Sequence, residues 1–102
     1  MKRIIFIDDE QNVLHGLQRM LRPMRHQWEM AFASNGEDGL AMFESAPFDV
    51  IVTDMRMPGM DGVAILEQVR SRWPHAVRIV LSGYTAVEAA FRAARVAHQF
   101  LL

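Results

Sequence analysis

The 102-residue sequence predicts an α/β fold built on a doubly wound, parallel, five-stranded sheet. Short apolar runs alternate with amphipathic stretches along the whole chain, a pattern that favours helices packed on both faces of a parallel sheet. The clearest runs, Ile4–Ile7 and Val50–Thr53, are continuous rather than alternating, as in strands buried on both faces. Each of these runs ends directly at an acidic residue, which singles out one edge of the predicted sheet.

The composition fits one folded domain and excludes several classes of function. Hydrophobic residues make up 51%, and 11 basic residues nearly balance 12 acidic ones. This balance gives no electrostatic reason to expect binding to nucleic acid or to an anionic membrane. The absence of cysteine excludes disulfides, thiolate zinc sites and thiol nucleophiles. No apolar run approaches a signal peptide or the roughly 20 residues of a membrane span, so we expect a cytoplasmic protein.

The first half of the chain predicts two strands and two helices in alternation. Ile4–Ile7 is a strand, and the helix that follows it is expected to end at Pro23. Trp28–Ala33 is predicted to be a second, less apolar strand. Ser34–Glu37 has the sequence SNGE, whose spacing is that of a capping box, and it should begin the second helix.

The second half of the chain repeats this alternation. Asp61 is predicted to cap the third helix, and Thr85–Glu88, with the sequence TAVE, has capping-box spacing for a fourth. The predicted strands of this half are Val50–Thr53, Val77–Leu81 and one that begins at Phe100–Leu102. Strands and helices that alternate in this way are joined by right-handed crossovers in a parallel sheet.

Polar residues follow three of the predicted strands, namely Asp8-Asp9, Asp54 and Ser82. The carboxyl ends of parallel strands meet at one edge, where this class of fold binds its ligands. Taken singly, the acidic residues could equally be helix caps or exposed turn residues. Converging carboxylates repel one another, however, and Mg²⁺ relieves that repulsion because it prefers oxygen ligands. The sequence therefore predicts a metal-assisted carboxylate site with Asp54 at its centre.

Three motifs, FIDDE, VIVTDMRMPGMDG and IVLSGY, stand in a characteristic order and spacing. With them the whole chain resembles the receiver domain of two-component response regulators. The resemblance implies a flavodoxin-like receiver fold and a regulatory domain rather than an enzyme. Its function would be to take a phosphoryl group from the phosphohistidine of a partner histidine kinase onto Asp54, forming an acyl phosphate. Phosphorylation and dephosphorylation would be self-catalysed, and the resulting switch would control a C-terminal output domain or a partner.

The resemblance also implies how a cofactor, Mg²⁺, would be held. Asp9 and Asp54 would bind the ion directly, and the backbone carbonyl of Arg56 would be a third protein ligand. Asp8 would act mostly through bound water. The ion would neutralise charge on the phosphoryl oxygens during transfer.

Two more roles, and one expectation about the chain's end, follow from the resemblance. Ser82 would donate a hydrogen bond to a phosphoryl oxygen, and Phe100 would be the switch aromatic. Receivers carry a lysine directly after the fifth strand and then a fifth helix, which this sequence lacks. We therefore expect residues 1–102 to be a receiver domain truncated at the end of strand five, with exposed apolar surface that drives self-association or exchange of elements between chains. The ending VAHQFLL also resembles receivers fused to HD-type hydrolase output domains.

Two other functions are compatible with an aspartate at a strand end. One is a Mg²⁺-dependent phosphatase of the haloacid dehalogenase type, but such enzymes need a second aspartate two residues after the nucleophile, where this chain has Arg56. The other is a phosphate-independent docking module with a receiver-like fold. An effect of Mg²⁺ and of an acyl-phosphate donor would distinguish the phosphoacceptor from the docking module.

Overall fold

The computed structural model describes residues 1–54 and 57–81, which form a parallel sheet with helices on both faces. The elements in chain order are β1 (Lys2–Ile7), α1 (Gln11–Leu21), a short 3₁₀ helix (Arg22–Met24), β2 (Trp28–Ala33), α2 (Gly36–Ser45), β3 (Val50–Asp54), α3 (Gly62–Arg72) and β4 (Val77–Leu81). The strands lie in the order β2-β1-β3-β4, and every pairing is parallel. The predicted doubly wound fold is confirmed for these residues, whereas the predicted fourth helix and fifth strand lie outside them.

Each face of the sheet has its own hydrophobic core. Ile5, Ile7 and Ile51 point to one face, where they pack with residues of α2 and α3. Ile4 and Phe6 alternate with them and pack with residues of α1 on the other face. Burial on both faces is why these strands read as continuous apolar runs. None of the helices within the described ranges is long and apolar enough to cross a bilayer.

The helix starts were predicted with mixed success. Asp61 caps α3 as expected, and its carboxylate accepts a hydrogen bond of 2.8 Å from the Ala64 amide. The predicted capping box at Ser34–Glu37 is wrong, because the cap of α2 lies one residue later. Asn35 is the cap: its Oδ1 accepts from the Asp38 amide at 2.7 Å, and its Nδ2 donates to the Asp38 carboxylate at 2.9 Å. Asparagine caps a helix as well as serine does, so spacing alone did not decide between them.

Arg3 joins several elements at the amino ends of the strands. Its Nη1 donates to the carbonyl oxygens of Ala46 and Pro47, at 2.8 and 2.7 Å, and its Nε bonds the carboxylate of Glu29. Its guanidinium also lies 4.4 Å from the ring centroid of Phe48. The Arg3 side chain therefore connects β1 to β2 and to the segment that precedes β3, at the amino edge of the sheet.

Asp49 extends this connection through the backbone. Its amide donates to the Arg3 carbonyl at 2.8 Å, and its own carbonyl accepts from Val77 at 2.9 Å. The Asp49 carboxylate also accepts from the Arg3 amide at 2.8 Å. Arg3 and Asp49 thus link the amino ends of β1, β3 and β4.

Two helical glycines should respond in opposite ways to a methyl group. A Cβ at Gly39 would lie 2.9 Å from Ile7 Cγ1 and closer still to its Cδ1, whereas a Cβ at Gly16 meets nothing within 4 Å. We expect Gly39→Ala to destabilise the protein, because overpacking costs about 1–3 kcal/mol. Gly16→Ala should instead stabilise by about 0.5–1 kcal/mol, the ordinary gain in a helix interior. Urea unfolding measures the change in free energy of unfolding for both variants. Equal changes would contradict the close approach of α2 to the sheet.

Candidate metal centre

Three carboxylates meet at the carboxyl edge of the sheet, where β1 and β3 end side by side. One oxygen from each of Asp8, Asp9 and Asp54 lies within 4.8 Å of the others. Asp8 is buried, Asp54 is half-buried and Asp9 is exposed. The sequence predicted this convergence from strand ends alone, and the structure places these three predicted site residues together.

The end of β1 holds Asp8 firmly in place. The Asp8 amide donates to the Ala33 carbonyl at 3.1 Å, which continues the pairing of β1 with β2. Its carboxylate Oδ1 accepts from the Glu10 amide at 2.9 Å. Burial raises the pKa of Asp8 from its ordinary value of 3.8 to about 6; the hydrogen bond from Glu10 opposes this rise, and the charges of Asp54, Asp9 and Glu10 add to it. The ionised form of Asp8 is therefore unfavourable unless a positive charge lies beside it.

The end of β3 places Asp54 beside them. The ladder between β3 and β1 ends at the pair of Thr53 and Ile7, whereas the ladder with β4 continues by one pair to Asp54 and Leu81. Asp54 thus belongs to the ladder with β4 and lies one residue past the end of the ladder with β1. Thr53 is fully buried, and its hydroxyl donates to the Asp54 carbonyl at 3.1 Å.

A turn and a helix start lie close behind Asp54 in the sequence. Gly59 has φ of +79°, a left-handed conformation that glycine adopts without strain. Two residues later, Asp61 caps α3, which begins at Gly62. Gly59 and Asp61, both in the VIVTDMRMPGMDG motif, therefore have backbone roles.

The donor set fits a hard divalent cation. Mg²⁺ takes oxygen ligands and commonly uses one or two carboxylates with water completing its shell. Half-exposed and exposed carboxylates beside a buried one offer both protein oxygens and access to water. The other predicted site residues, Arg56, Ser82 and Phe100, lie outside the described ranges.

The raised pKa of Asp8 predicts how the metal-free protein responds to pH. Because the folded-state pKa of about 6 exceeds the ordinary 3.8, the folded state binds more protons in between, and stability should rise as pH falls through 6. We expect Asp8→Asn to raise the free energy of unfolding by about 1–2 kcal/mol near neutral pH, within the limit set by a two-unit shift. The gain should vanish as the pH approaches the ordinary value of 3.8. Denaturant unfolding in the presence of a chelator, repeated across this pH range, measures the difference in free energy of unfolding between the variant and the native chain. A difference that does not change with pH would contradict the prediction.

Comparison with known proteins identifies the family. The family model of the response regulator receiver domain matches residues 4–102. The chain belongs to the response regulator receiver domains.

Relatives of this receiver domain agree with that assignment. It is 39% identical over 85 residues to the hydrogenase transcriptional regulatory protein HoxA of Cupriavidus necator; the match covers 83% of the domain and 17% of HoxA. The chain therefore spans less than a fifth of that regulator's length. Two solved structures are similar in fold. They are the complex of histidine kinase ThkA with response regulator TrrA (34% identity, TM-score 0.72, covering 82% of this chain and 71% of that one) and TrrA from Thermotoga maritima with Mg²⁺ and BeF (30% identity, TM-score 0.74, covering 93% and 80%).

Sequence reasoning left two residues of this receiver domain without a role. Thr53 was treated only as the end of a strand, although a hydroxyl next to Asp54 in an otherwise apolar run was visible in the sequence. Arg3 lies directly before the predicted first strand and was given no role. The hydrogen-bond partners of its side chain lie 26 to 44 positions away, so no local pattern could indicate them.

Proposed function

We propose that this receiver domain accepts a phosphoryl group on Asp54, with Mg²⁺ held by Asp54 and Asp9 directly and by Asp8 through water. The observation that carries the proposal is the convergence of the three carboxylates within 4.8 Å at the end of β3. The Mg²⁺–BeF structure of the similar regulator TrrA supports it. The role of the domain is regulatory, and both uptake and loss of the phosphoryl group are self-catalysed.

The chain's own residues account for the transfer step. An oxygen of the Asp54 carboxylate attacks phosphorus in line, the bond from phosphorus to the donor nitrogen breaks, and its electron pair stays on the leaving imidazole. Asp8 and Asp9 hold the negative charge that retains a cation beside Asp54. Mg²⁺, when bound, offsets charge on the phosphoryl oxygens. In dephosphorylation, water attacks phosphorus, the bond from phosphorus to the Asp54 oxygen breaks, and inorganic phosphate leaves the free carboxylate.

Further roles belong to the same proposal through the motifs of the family. The Arg56 carbonyl completes the protein ligands, Ser82 donates to a phosphoryl oxygen, and Phe100 changes position with the phosphorylation state. The donor is the phosphohistidine of a sensor kinase, as the similar complex of ThkA with TrrA suggests. Such a kinase would meet the domain in the cytoplasm, and the phosphorylated form would act on an output domain, as the regulators among its relatives suggest.

Intact mass spectrometry after incubation with acetyl phosphate tests this function. We expect one added phosphoryl group with Mg²⁺ and almost none with a chelator, because the charge on the phosphoryl oxygens is then uncompensated. Peptide mapping should place the group on the segment that contains Asp54, and hydroxylamine should remove it, since it cleaves acyl phosphates. No mass change at any Mg²⁺ concentration would instead favour a phosphate-independent docking module.

A further inference from the structure

Two polar side chains are buried in the part of the chain that the structure describes, and each is in or next to the candidate metal centre. Asp8 and Thr53 are the only polar or charged residues that are buried within residues 1–54 and 57–81. Asp8 is one of the three converging carboxylates. Thr53 has an exposed fraction of 0% and belongs to a strand whose preceding residues are all apolar and buried. Burial of a hydroxyl is unfavourable unless it is hydrogen-bonded, so the partner of this hydroxyl is informative.

That partner is the backbone of the proposed phosphoacceptor itself. The Thr53 hydroxyl donates to the Asp54 carbonyl at 3.1 Å. The bond is formed where β3 loses its ladder to β1, because that ladder ends at Ile7 and Thr53. The hydroxyl thus bonds the peptide group that follows Asp54, one residue past the end of the ladder with β1.

We propose that Thr53 is a positioning residue, whose hydroxyl fixes the backbone of Asp54 and thereby the direction of its carboxylate toward Asp8 and Asp9. This inference rests on the proposed function, since it assigns Asp54 as both acceptor and metal ligand. Groups that orient a ligand without touching the metal typically alter metal affinity when they are removed. A hydroxyl that only satisfies its own burial would affect folding stability and leave metal affinity unchanged.

Two pairs of variants separate the hydroxyl from side-chain volume. Threonine and Thr53→Val have nearly the same shape, and Thr53→Ser and Thr53→Ala form a second, smaller pair. In each pair only one member can donate to the Asp54 carbonyl. We expect the member without the hydroxyl to bind Mg²⁺ roughly 10-fold more weakly than its partner, the lower end of the range for residues that orient metal ligands. The rate of phosphoryl uptake from acetyl phosphate at limiting Mg²⁺ should fall in the same order.

Isothermal titration of the 102-residue chain with Mg²⁺ provides the measurement, under conditions where circular dichroism shows each variant to be folded. Ile51→Val is the matched control, because Ile51 is a fully buried residue of the same strand that belongs to the hydrophobic core packed against α2 and α3. It should lower stability and leave Mg²⁺ affinity unchanged. If Thr53→Val does not fold, the serine and alanine pair still decides the matter.

The outcomes distinguish this inference from the proposed function. Equal Mg²⁺ affinity within both pairs overturns the role of Thr53, even if the native chain is phosphorylated on Asp54. A loss in the alanine and valine variants that serine does not show supports it. If the native chain binds Mg²⁺ but takes up no phosphoryl group, the proposed function fails, and the Mg²⁺ affinities alone still test whether Thr53 orients Asp54.

Discussion

The Asp54→Asn variant should take up no phosphoryl group from acetyl phosphate in the presence of Mg²⁺. An amide oxygen is a far poorer nucleophile than a carboxylate and cannot form the acyl phosphate. The substitution also removes one of the three charges that meet at the site, while it keeps the size of the side chain. Intact mass spectrometry should therefore show only the unmodified mass under conditions that label the native chain.

Asp61→Asn is a matched control for this experiment. Asp61 is an exposed aspartate that caps α3, and asparagine is an equally good cap, so the fold should be retained. This variant should be labelled as fully as the native chain. Labelling of Asp54→Asn at the native level would show that the acceptor is another residue, whereas loss of labelling in both variants would point to a general defect.

The second large effect concerns the two acidic residues that follow β1. We expect Asp8→Ala to weaken Mg²⁺ binding by about 10-fold, as for a group that acts through water or orientation. Asp9→Ala should weaken it further, because its exposed carboxylate is assigned a direct contact with the ion. Calorimetric titration of both variants at the same pH compares them directly.

Glu10→Ala provides the control for charge alone. Glu10 is exposed and adjacent to the site but is not one of the three carboxylates that converge. Its loss should change Mg²⁺ affinity less than the loss of either aspartate. A larger loss with Asp8→Ala than with Asp9→Ala would reverse the assigned roles.

The sequence predicted the parts of this fold that local chemistry determines. Continuous apolar runs identified β1 and β3, and β4 was predicted with its observed bounds, Val77–Leu81. Asp61 was identified as a cap because a carboxylate three residues before a helical amide is a local feature. The convergence of Asp8, Asp9 and Asp54 followed from one rule, that parallel strands end at one edge.

Other features depend on contacts that no local pattern contains. The FIDDE motif shows two adjacent aspartates, but only the packing of β1 against its neighbours makes Asp8 the buried one and Asp9 the exposed one. β1 also begins at Lys2, two residues before the predicted start, because its first residues pair with Trp28 and Glu29 of β2. The role proposed for Thr53 rests partly on where the ladder between β1 and β3 ends, which is a property of strand register.

The network of Arg3 and Asp49 has a consequence for the proposed response to phosphorylation. It anchors the amino ends of β1, β3 and β4 to one another, at the edge opposite the acidic residues. The phosphorylation proposed for Asp54 would add charge at the carboxyl edge of the sheet, opposite the edge that Arg3 and Asp49 link. We therefore expect the displacements caused by phosphorylation to increase with distance from Arg3 and to be largest at the carboxyl edge of the sheet.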